Sequence, residues 1–380
     1  MYLTSLFIDR GYFSKKNIPG FSSEFSLSAF PFWGEYNFLD FAYFNTILPI
    51  DNSEIRRLLL CNKNVKKNAY ASLSRWDDDM AEVLAIDSEM DFVSDISSLL
   101  AGGYVLIYDI NHASLISEAG KKKILEITET LNIDEIVKLS INNVPVDIYL
   151  SPVNHFIELL EKNRNLMEKE KKYIETLVDE IMIGFFDHTI NIEGDVYFNS
   201  TITQFYENNI ALLYNGESNL MNNFLAAAPE PAEKDSFINK NSMVINSIIS
   251  SNVKIEGYVE NSIIFSDVVI KNNAKIINSV ILNGNQIGKD VLISNALVFP
   301  NFKSPGSISN IQEKSVIGGN SKKAVNISYP DQIYNGLTFL GANPNTPKNF
   351  IIEPGGYLGA DIPSVKLKKN DKITRNGSLE

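Results

Sequence analysis

The sequence predicts an α/β domain followed by a parallel β-helix of hexapeptide repeats. In this chain of 380 residues, the stretch 241–298 carries an aliphatic residue at every fifth or sixth position. Helices repeat apolar residues every three or four positions and long strands every second position, so this period is typical of hexapeptide coils. Upstream, short apolar runs alternate with amphipathic segments, which favours an α/β layer with a largely parallel sheet.

The elements of the first half follow from apolar runs separated by Gly, Pro and polar residues. The predicted strands are 1–8, 55–61, 102–110 and 144–150. The predicted helices are the apolar part of 28–49, then 69–84, most of 113–131, and one or two helices within 154–182. Residues 191–214 read as a strand, a turn and a helix.

The second half is predicted to form the rod. Its repeating aliphatic residues are Val253, Val259, Ile264, Ile270, Ile276, Leu282, Ile287 and Ile293. In such a rod three short strands make one triangular coil, and the inward side chains stack on those of the next coil. The expected boundaries are 1–215 for the α/β domain, 216–240 for a linker, 241–365 for the β-helix and 366–380 for a frayed polar tail.

Composition limits the possible partners. The formal net charge of -12 argues against a sequence-independent nucleic-acid binder or a binder of anionic membranes, since both need a basic face. Cys61 is the single cysteine, which excludes an intramolecular disulfide and a CxxC motif. The N-terminus lacks the pattern of a signal peptide, and no run is long enough to span a membrane. We therefore expect a cytoplasmic protein.

Several stretches resemble one known family in the same order along the chain. They are FPFWGEYNFLDFAYFN (30–45, similar to PFGGxYRxIDFxLSN), LSRW (73–76, RGW), YVLIYD (104–109, the strand ending in GDH), VDIYL (146–150, MGIYIF), GDVYFNSTITQFYENNIALL (194–213, GYWxDVGTIxxYYxANMxLL) and VENS (259–262). The chain thus resembles the ADP-glucose pyrophosphorylase (glucose-1-phosphate adenylyltransferase) family. The resemblance implies a degenerate, truncated Rossmann-like nucleotidyltransferase domain followed by a left-handed parallel β-helix.

The residues that the family's chemistry needs are largely missing. That chemistry uses a Gly-rich loop for the triphosphate, basic residues for the transferred charge and two carboxylates for Mg²⁺. Here DRGYFSKKNIPG replaces GGxGxRL after the first strand, and Phe25 and Leu27 stand where the family has Arg and Lys. Asp109 falls at the metal-binding Asp of GDH, but Phe198 occupies the place of the second carboxylate. The span from Asp109 to Val146 is also too short for the substrate-binding insert and its EKP motif.

Asp109 is accordingly a vestigial catalytic and metal candidate, and the simpler interpretation, a solvated acid at a strand end, is favoured. Its position is one where α/β proteins place ligands. Asp77, Asp78 and Asp79 are more simply a solvated cluster at a helix start than a metal site.

Two other groups are weak binding candidates. Phe32, Trp33 and Gly34 are candidates to line a nucleotide or sugar pocket, although an aromatic loop more often forms core or interface. Arg56 and Arg57 are candidates to bind an anionic effector, although surface solvation is the simpler interpretation.

The histidines weigh against another hexapeptide-repeat function. Acyltransferases of this architecture use a His as general base at the subunit interface. His112, His155 and His188 all precede the rod and show no metal-ligand spacing. We therefore expect the rod to serve assembly and regulation.

These observations predict a non-catalytic, regulatory subunit-like member of the family, linked to glycogen biosynthesis through a catalytic paralogue. The alternatives are an active glucose-1-phosphate nucleotidyltransferase with an altered site, and a purely structural β-helix oligomer. No cofactor is expected, and Mg²⁺ only if activity is retained. The expected partners are a catalytic paralogue, further copies of the chain, or both, with a sugar phosphate or nucleotide as a further candidate effector. Neither nucleic acid nor membrane is expected as a partner.

Overall fold

The chain folds into an α/β domain joined to a parallel β-helix. The computed structural model describes residues 2–9, 20, 29–33, 36–50, 55–78, 81–87, 90–100, 102–170, 173–178, 186–197, 201–215, 218–230, 235–303, 310–363, 366–367 and 372–380. The left-handed sense of the β-helix and the truncated Rossmann-like character of the α/β domain stay predictions.

The α/β domain alternates strands with helices along the chain. Its strands are β1 (Leu3–Asp9), β2 (Pro31–Trp33), β3 (Tyr36–Asn37), β4 (Ile55–Asn62), β5 (Ala81–Ile86), β6 (Tyr104–Asp109), β7 (Ala113–Ile116), β8 (Val137–Ile141), β9 (Val144–Pro152), β10 (His188–Ile192) and β11 (Gly194–Tyr197). The helices are α1 (Phe38–Asn45), α2 (Lys66–Leu73), α3 (Phe92–Leu99), α4 (Glu118–Thr130), α5 (Val153–Glu170), α6 (Tyr173–Thr176), α7 (Ile202–Asn215) and α8 (Asn219–Ala227). Short 3₁₀ turns at Lys63–Val65 and Ser74–Trp76 flank α2.

Seven of these strands form one sheet in the order β10-β8-β9-β6-β1-β4-β5. All neighbouring pairs are parallel except those of β9, which runs antiparallel to both β6 and β8. The expected largely parallel sheet is present. Both of its faces are covered, which is why the central strand β1 (LTSLFID) is buried along its whole length.

Local structure differs from the sequence expectation in four places. The helix predicted over 69–84 ends at Leu73, and after a left-handed Asp77 (φ 47°) the chain enters β5. The segment 113–131 begins with strand β7 before α4, and the predicted linker 216–240 contains α8. The tail predicted to fray at 366–380 contains two strands that pair with the rod. In each case tertiary pairing or burial outweighs local propensity.

The β-helix consists of short strands that stack coil upon coil. Its strands are β12 (Phe237–Ile238), β13 (Met243–Ile245), β14 (Ile248–Ile249), β15 (Lys254–Ile255), β16 (Tyr258–Glu260), β17 (Ile263–Ile264), β18 (Val269–Ile270), β19 (Lys275–Ile277), β20 (Val280–Ile281), β21 (Gln286–Ile287), β22 (Leu292–Ser294), β23 (Ala296–Val298), β24 (Val316–Gly318), β25 (Thr338–Leu340), β26 (Ile351–Ile352), β27 (Tyr357–Leu358), β28 (Lys372–Ile373) and β29 (Ser378–Leu379). They form three parallel sheets, two of seven strands and one of four.

Inward side chains stack in register along each sheet. In the sheet that begins with β13, Val259 pairs with Ile276, which in turn pairs with Ile293, and all three are fully buried. This column continues to Ile373 in the last coil. Aliphatic stacking of this kind is the main stabilising contact between coils.

The corners of the coils are built from Asn and Ser. Asn246, Asn261, Asn278 and Asn295 occupy one corner in successive coils with positive φ, which Asn tolerates better than most residues. Asn246 donates to the side chain of Asn261 at 2.7 Å. The polar residues between the repeating aliphatic residues therefore form the turns of the rod.

The rod is fused to the α/β domain through an aromatic core. Phe299 lies 5.1 Å from Phe30 and 4.7 Å from Phe339, measured between ring centroids, and Phe205 of α7 packs beside it. All eight repeating aliphatic residues are buried. Leu282, however, belongs to this shared core and not to the interior of the rod, because Ile281 takes the inward place.

Candidate functional site

A cluster of polar side chains lies where β6 ends. Asp109 terminates β6 and is 2% exposed, so it is a buried side chain and not the solvated acid that the sequence favoured. The amide nitrogen of Asn111 donates to Oδ2 of Asp109 at 3.0 Å and to Oδ2 of Asp147, on the antiparallel neighbour β9, at 2.8 Å. The ammonium group of Lys138, on β8, donates to Oδ1 of Asp147 at 2.9 Å. Two carboxylates at this sheet edge thus accept hydrogen bonds from the chain's own amide and ammonium groups.

In this strand-end cluster, Lys138 neutralises one of the two carboxylates, that of Asp147. Burial alone would raise the pKa of Asp147, but hydrogen bonds from Asn111 and Lys138 and the charge of Lys138 outweigh it and lower that pKa. The ammonium group of Lys138 also lies 5.3 Å from the ring centre of Tyr149 and 5.7 Å from that of Phe186. These two neighbouring rings help to hold the lysine in place while it neutralises Asp147.

His112 is attached to the same cluster as a neutral side chain. Its Nδ1 lies 2.7 Å from Oδ1 of Asn111. Because the Asn111 amide nitrogen is turned toward the carboxylates, its oxygen is an acceptor, and Nδ1 of His112 must carry the proton. Burial lowers the pKa of His112 to about 4, against the opposing effect of Asp147. His112 is therefore uncharged near neutral pH.

The cluster does not fit a Mg²⁺ site. Magnesium prefers near-octahedral oxygen ligands and several retained waters. Oδ2 of Asp109 and both carboxylate oxygens of Asp147 instead accept from Asn111 or Lys138, and a positive charge already occupies the place beside Asp147. Among the described residues, no group of three or more His, Cys, Asp or Glu side chains is arranged to hold a metal ion. Phe198, which stands where the family has its second carboxylate, lies outside the described residues.

The motif around α1 serves the scaffold. Asn37 and Asp40 form a reciprocal capping box at the start of α1. The fully buried Asp40 also accepts from Arg75 at 3.0 Å and from the indole nitrogen of Trp76 at 2.9 Å. At the end of the helix, Asn45 holds β7 through Ser114 and Ile116. The matches to FLDFAYFN and LSRW therefore correspond to packing contacts.

The aromatic pocket candidates fall in or near the core. Phe32 is 1% exposed and packs against Phe38, Phe41 and Phe205. The side chain of Trp33 and the whole of Gly34 lie outside the described residues. The structure thus places Phe32 in the core, as the simpler interpretation expected.

The two arginines lie on β4, away from Asp109. Arg57 is 2% exposed, contrary to the surface position expected from the sequence. Its guanidinium pairs with Asp78 at 2.9 Å, hydrogen-bonds to Thr46 and lies over the ring of Tyr43. Arg56 pairs with Glu82 at 2.8 Å. Both guanidinium groups are therefore engaged within the chain, and an anion would have to compete with these partners.

The acidic triplet is placed differently from the sequence expectation. Asp77 and Asp78 precede strand β5, where a helix start was predicted. Asp78 is the partly buried partner of Arg57 rather than a solvated acid, and Asp79 lies outside the described residues. The burial of Arg57 explains this difference, because a buried guanidinium requires a charged partner and Asp78 is the carboxylate among its described contacts.

The described surface also contains an open cleft of about 510 Å³ between the first turns of α4 and α8. Its polar lining includes Glu118, Asn142, Glu193, Asp195 and Asn223. Three of these residues are carboxylates, so the cleft repels a phosphorylated ligand. Sequence reasoning missed it because its walls come from four separated segments.

Sequence reasoning also missed Asn111, Lys138 and Asp147. The available signal was a charged residue within each of two apolar strands, Lys138 in VKLSI and Asp147 in VPVDIYL. A charge within a buried strand requires a partner. The antiparallel placement of β9, which brings the two charges together, is not visible in the sequence.

None of the helices in the described part of the chain is both long and apolar enough to cross a membrane.

Comparison with known proteins gives one matching family model and several relatives. Residues 232–326 match the model described as GlmU-like, C-terminal hexapeptide. A glucose-1-phosphate adenylyltransferase of Acetivibrio thermocellus is 24% identical over 194 residues, which cover 47% of this chain and 42% of the relative. Proteins of the same name from Bacillus cytotoxicus and Bacillus mycoides are 39% identical over 70 residues and 32% identical over 100 residues. These two matches cover 18% and 26% of this chain and 19% and 27% of the relatives, so the chain spans less than half the length of each.

Proposed function

We propose that this chain, which belongs to the glucose-1-phosphate adenylyltransferase family, is a non-catalytic, regulatory partner of a catalytic member of that family. In this proposal it acts in the cytoplasm, in glycogen biosynthesis, by changing the activity or effector response of the catalytic partner. The observation that carries the proposal is the strand-end cluster, in which Asp109 and Asp147 are bonded to Asn111 and Lys138.

Transfer of a nucleotidyl group requires groups that stabilise the charge of the transition state. Each missing element, namely the Gly-rich loop, the basic residues and the second metal carboxylate, costs about 3 kcal/mol or more of transition-state stabilisation. Together these losses correspond to a rate lower by roughly 10⁶-fold. The strand-end cluster supports the same conclusion, since Asp109 would have to exchange the amide of Asn111 for a metal ion.

The retained parts of the chain fit a binding role. The capping box of α1 and the contacts of Asp40 preserve the α/β scaffold, and the aromatic core around Phe299 preserves its attachment to the rod. A protein that keeps its scaffold and loses its reactive groups can still present a family-type surface to a partner. Its partner would be a subunit with the same rod and an intact nucleotide site.

The histidines support the exclusion of an acyltransferase. His112 is buried and bonded to Asn111, and His188 is exposed beside Glu135 on the α/β domain. The rod itself, from residue 235 to the end of the chain, contains no His. A general base on the rod, which the acyltransferase reaction needs, would have to be a different residue type.

The proposal is tested by mixing the purified chain with a catalytic glucose-1-phosphate adenylyltransferase. Size-exclusion chromatography with light scattering reports complex formation, and ADP-glucose production at several effector concentrations reports modulation. The expected result is a defined complex whose rate or effector response differs from that of the catalytic protein. Absence of a complex with the catalytic family member of the same cell would overturn the partnership.

The second candidate is an active nucleotidyltransferase with an altered site. The specific observation in its favour is that Asp109 remains at the carboxyl end of β6, where α/β enzymes place ligands. If the chain is such an enzyme, it should release pyrophosphate from glucose 1-phosphate and ATP. This activity should be lost in Asp109→Asn and unchanged in the exposed control Asp134→Asn. Mg²⁺ would then be required. The third alternative, a purely structural oligomer, predicts assembly with neither turnover nor modulation.

A further inference from the structure

The open cleft between α4 and α8 is held in shape by hydrogen bonds among the four segments that line it. One of these segments, 193–195, is bonded to each of the other three. Its first carbonyl group accepts from the N–H of Ser117 at 3.0 Å, and its second accepts from the side-chain amide of Asn142. The carboxylate of its third residue accepts from the hydroxyl of Ser218 at 2.9 Å. The cleft is therefore a built part of the fold and not a gap between loosely packed elements.

Two glycines allow the close packing around this segment. A Cβ on Gly194 would lie 2.3 Å from the carbonyl oxygen of Leu115, and a Cβ on Gly120 would lie 2.4 Å from that of Glu193. Both contacts are too short for a real Cβ, so both positions need glycine. The volume of about 510 Å³ that this packing leaves open lies within the range of about 300–1,000 Å³ for small-molecule sites.

The wall formed by α8 combines amide groups with an apolar contact. Asn219 and Asn223 lie four residues apart and share the face of α8 that lines the cleft, with Leu220 beside them. Met221 and Phe224, on the other face of the helix, are buried in the core. Each side-chain amide can donate and accept hydrogen bonds. The wall thus offers both kinds of hydrogen-bonding group around one aliphatic side chain.

The charges at the cleft favour a neutral ligand. The carboxylates of Glu118, Glu193 and Asp195 line it, and they repel an anion. Lys121, however, pairs with Glu118 at 3.1 Å. The first turns of α4 and α8 each add a positive partial charge equivalent to about half an elementary charge. Together the lysine and the two helix ends offset about two of the three negative charges, so a cation is attracted only weakly.

We propose that this cleft binds a neutral sugar, either as a monosaccharide or as one unit of a longer saccharide. A sugar hydroxyl both donates and accepts hydrogen bonds, and a sugar ring also has apolar C–H groups. Glu193 and Asp195 accept hydrogen bonds from the hydroxyls, and Asn223 donates to them and accepts from them. Leu220 packs against the C–H face of the ring.

The cleft is separate from the strand-end cluster. β11 pairs antiparallel with β7, so Gly194 lies opposite Ile116 at one end of the pair and Tyr197 lies opposite Ala113 at the other. The cleft is at the Gly194 end, whereas Asp109 comes shortly before Ala113. The two ends of the pair are about 10 Å apart. A chain without catalytic or regulatory activity would still bind the sugar.

Saturation-transfer difference NMR on the full chain, with glucose, galactose, mannose and maltotriose as probes, measures this binding. We expect at least one of them to bind with a dissociation constant on the order of 1 mM, because the cleft is open and its hydrogen bonds replace bonds to water. Binding of a hexose identifies a monosaccharide as the ligand, and binding of maltotriose alone identifies a unit of a longer saccharide. Glu193→Ala should weaken the binding roughly 10-fold, and Glu193→Ala/Asn223→Ala roughly 100-fold or beyond detection.

The matched control is Glu129→Ala, which removes an exposed carboxylate near the other end of α4. Glu129 is about 16 Å along the helix from Glu118, and this variant should bind the sugar as the unmodified chain does. Far-UV circular dichroism and unfolding midpoints check that the variants are folded, as expected because Glu193, Asn223 and Glu129 are all exposed.

Competition by charged ligands tests the preference for a neutral one. Glucose 1-phosphate and 1,4-diaminobutane, each at the concentration of the sugar, should not displace it. Displacement by the diamine would make the cleft a cation site, and displacement by the sugar phosphate would make it an anion site; either result overturns the inference. Absence of binding by all four sugars would overturn it too. So would binding that persists unchanged in Glu193→Ala/Asn223→Ala or falls equally in Glu129→Ala.

Discussion

His112 is expected to make the folded chain sensitive to mild acid. Burial lowers its pKa to about 4 in the folded chain, below the ordinary 6.5 of the unfolded chain. Between these two values the unfolded state binds a proton that the folded state excludes, so stability rises with pH in this window. The stability that depends on a neutral His112 is therefore present above pH 6.5 and is lost as the pH falls toward 4. Asp147 and Lys138 are the charged groups that face the ring, and they act in opposite directions on its pKa.

The size of the effect follows from the two pKa values. A pKa of about 4 in the folded chain, against 6.5 in the unfolded chain, makes the free energy of unfolding about 3 kcal/mol higher well above pH 6.5 than well below pH 4. Most of this difference, about 2–3 kcal/mol, should be lost between pH 7 and pH 4.5. Such a loss is a large part of the stability of an ordinary domain.

The perturbation is His112→Gln, which keeps a donor for Asn111 but does not titrate. Urea unfolding at the two pH values gives the loss of unfolding free energy for each protein. The unmodified chain should lose about 2–3 kcal/mol more than His112→Gln over this interval. His188→Gln, at an exposed ring beside Glu135, should lose as much as the unmodified chain. If His112→Gln and the unmodified chain lose equal amounts, the buried neutral state of His112 is refuted.

Four further substitutions test the packing by urea unfolding. Asp40→Ala should lower the free energy of unfolding by about 3–5 kcal/mol, because it leaves the half-buried Arg75 without its carboxylate partner. An effect near zero would contradict the scaffold role of Asp40. Phe299→Ala should cost about 3–5 kcal/mol and lower the unfolding midpoint of both the α/β domain and the rod, and independent midpoints would contradict the shared core. Ile276→Ala, at an inward position, should lower the free energy of unfolding by about 2–5 kcal/mol. Leu292→Ala, at an outward position, should lower it by less than about 1 kcal/mol. Equal losses would contradict the coil register.

The rod was predictable from the sequence because its structure is nearly local. Each coil repeats the same short strand and corner, so Val259, Ile276 and Ile293 could be assigned as stacked core residues from their spacing alone. The exception is Leu282, which packs into the shared aromatic core. The burial of Leu282 was predictable, but the direction in which its side chain points depends on where the α/β domain packs against the rod.

The α/β domain was predictable in its central strands but not in its peripheral segments. β1, β4 and β6 are apolar runs that are buried in the middle of the sheet. β5 and β7 were assigned to helices because each is short and directly follows or precedes a helical segment. Their strand state is fixed by partners distant in the sequence, β4 for β5 and β11 for β7.

The candidate site was the least predictable part. Asp109 was identified from its place at the end of an apolar strand, but its surroundings were not. The contact between Asp147 and Lys138 arises because β9 returns antiparallel between β6 and β8. The burial of Arg57 likewise depends on Asp78, 21 residues away along the chain. The one sign of such long-range pairing in a single sequence is a charged residue within an apolar segment.

Turnover by the purified chain alone tests directly whether the chain is non-catalytic. Glucose 1-phosphate, ATP and Mg²⁺ are supplied, and pyrophosphate release is compared with that of a catalytic glucose-1-phosphate adenylyltransferase and with Asp109→Asn. The expected rate is roughly 10⁶-fold below that of the catalytic protein, with no change on Asp109→Asn. A rate within a few orders of magnitude of the catalytic protein that disappears in Asp109→Asn would show that the chain is an active enzyme.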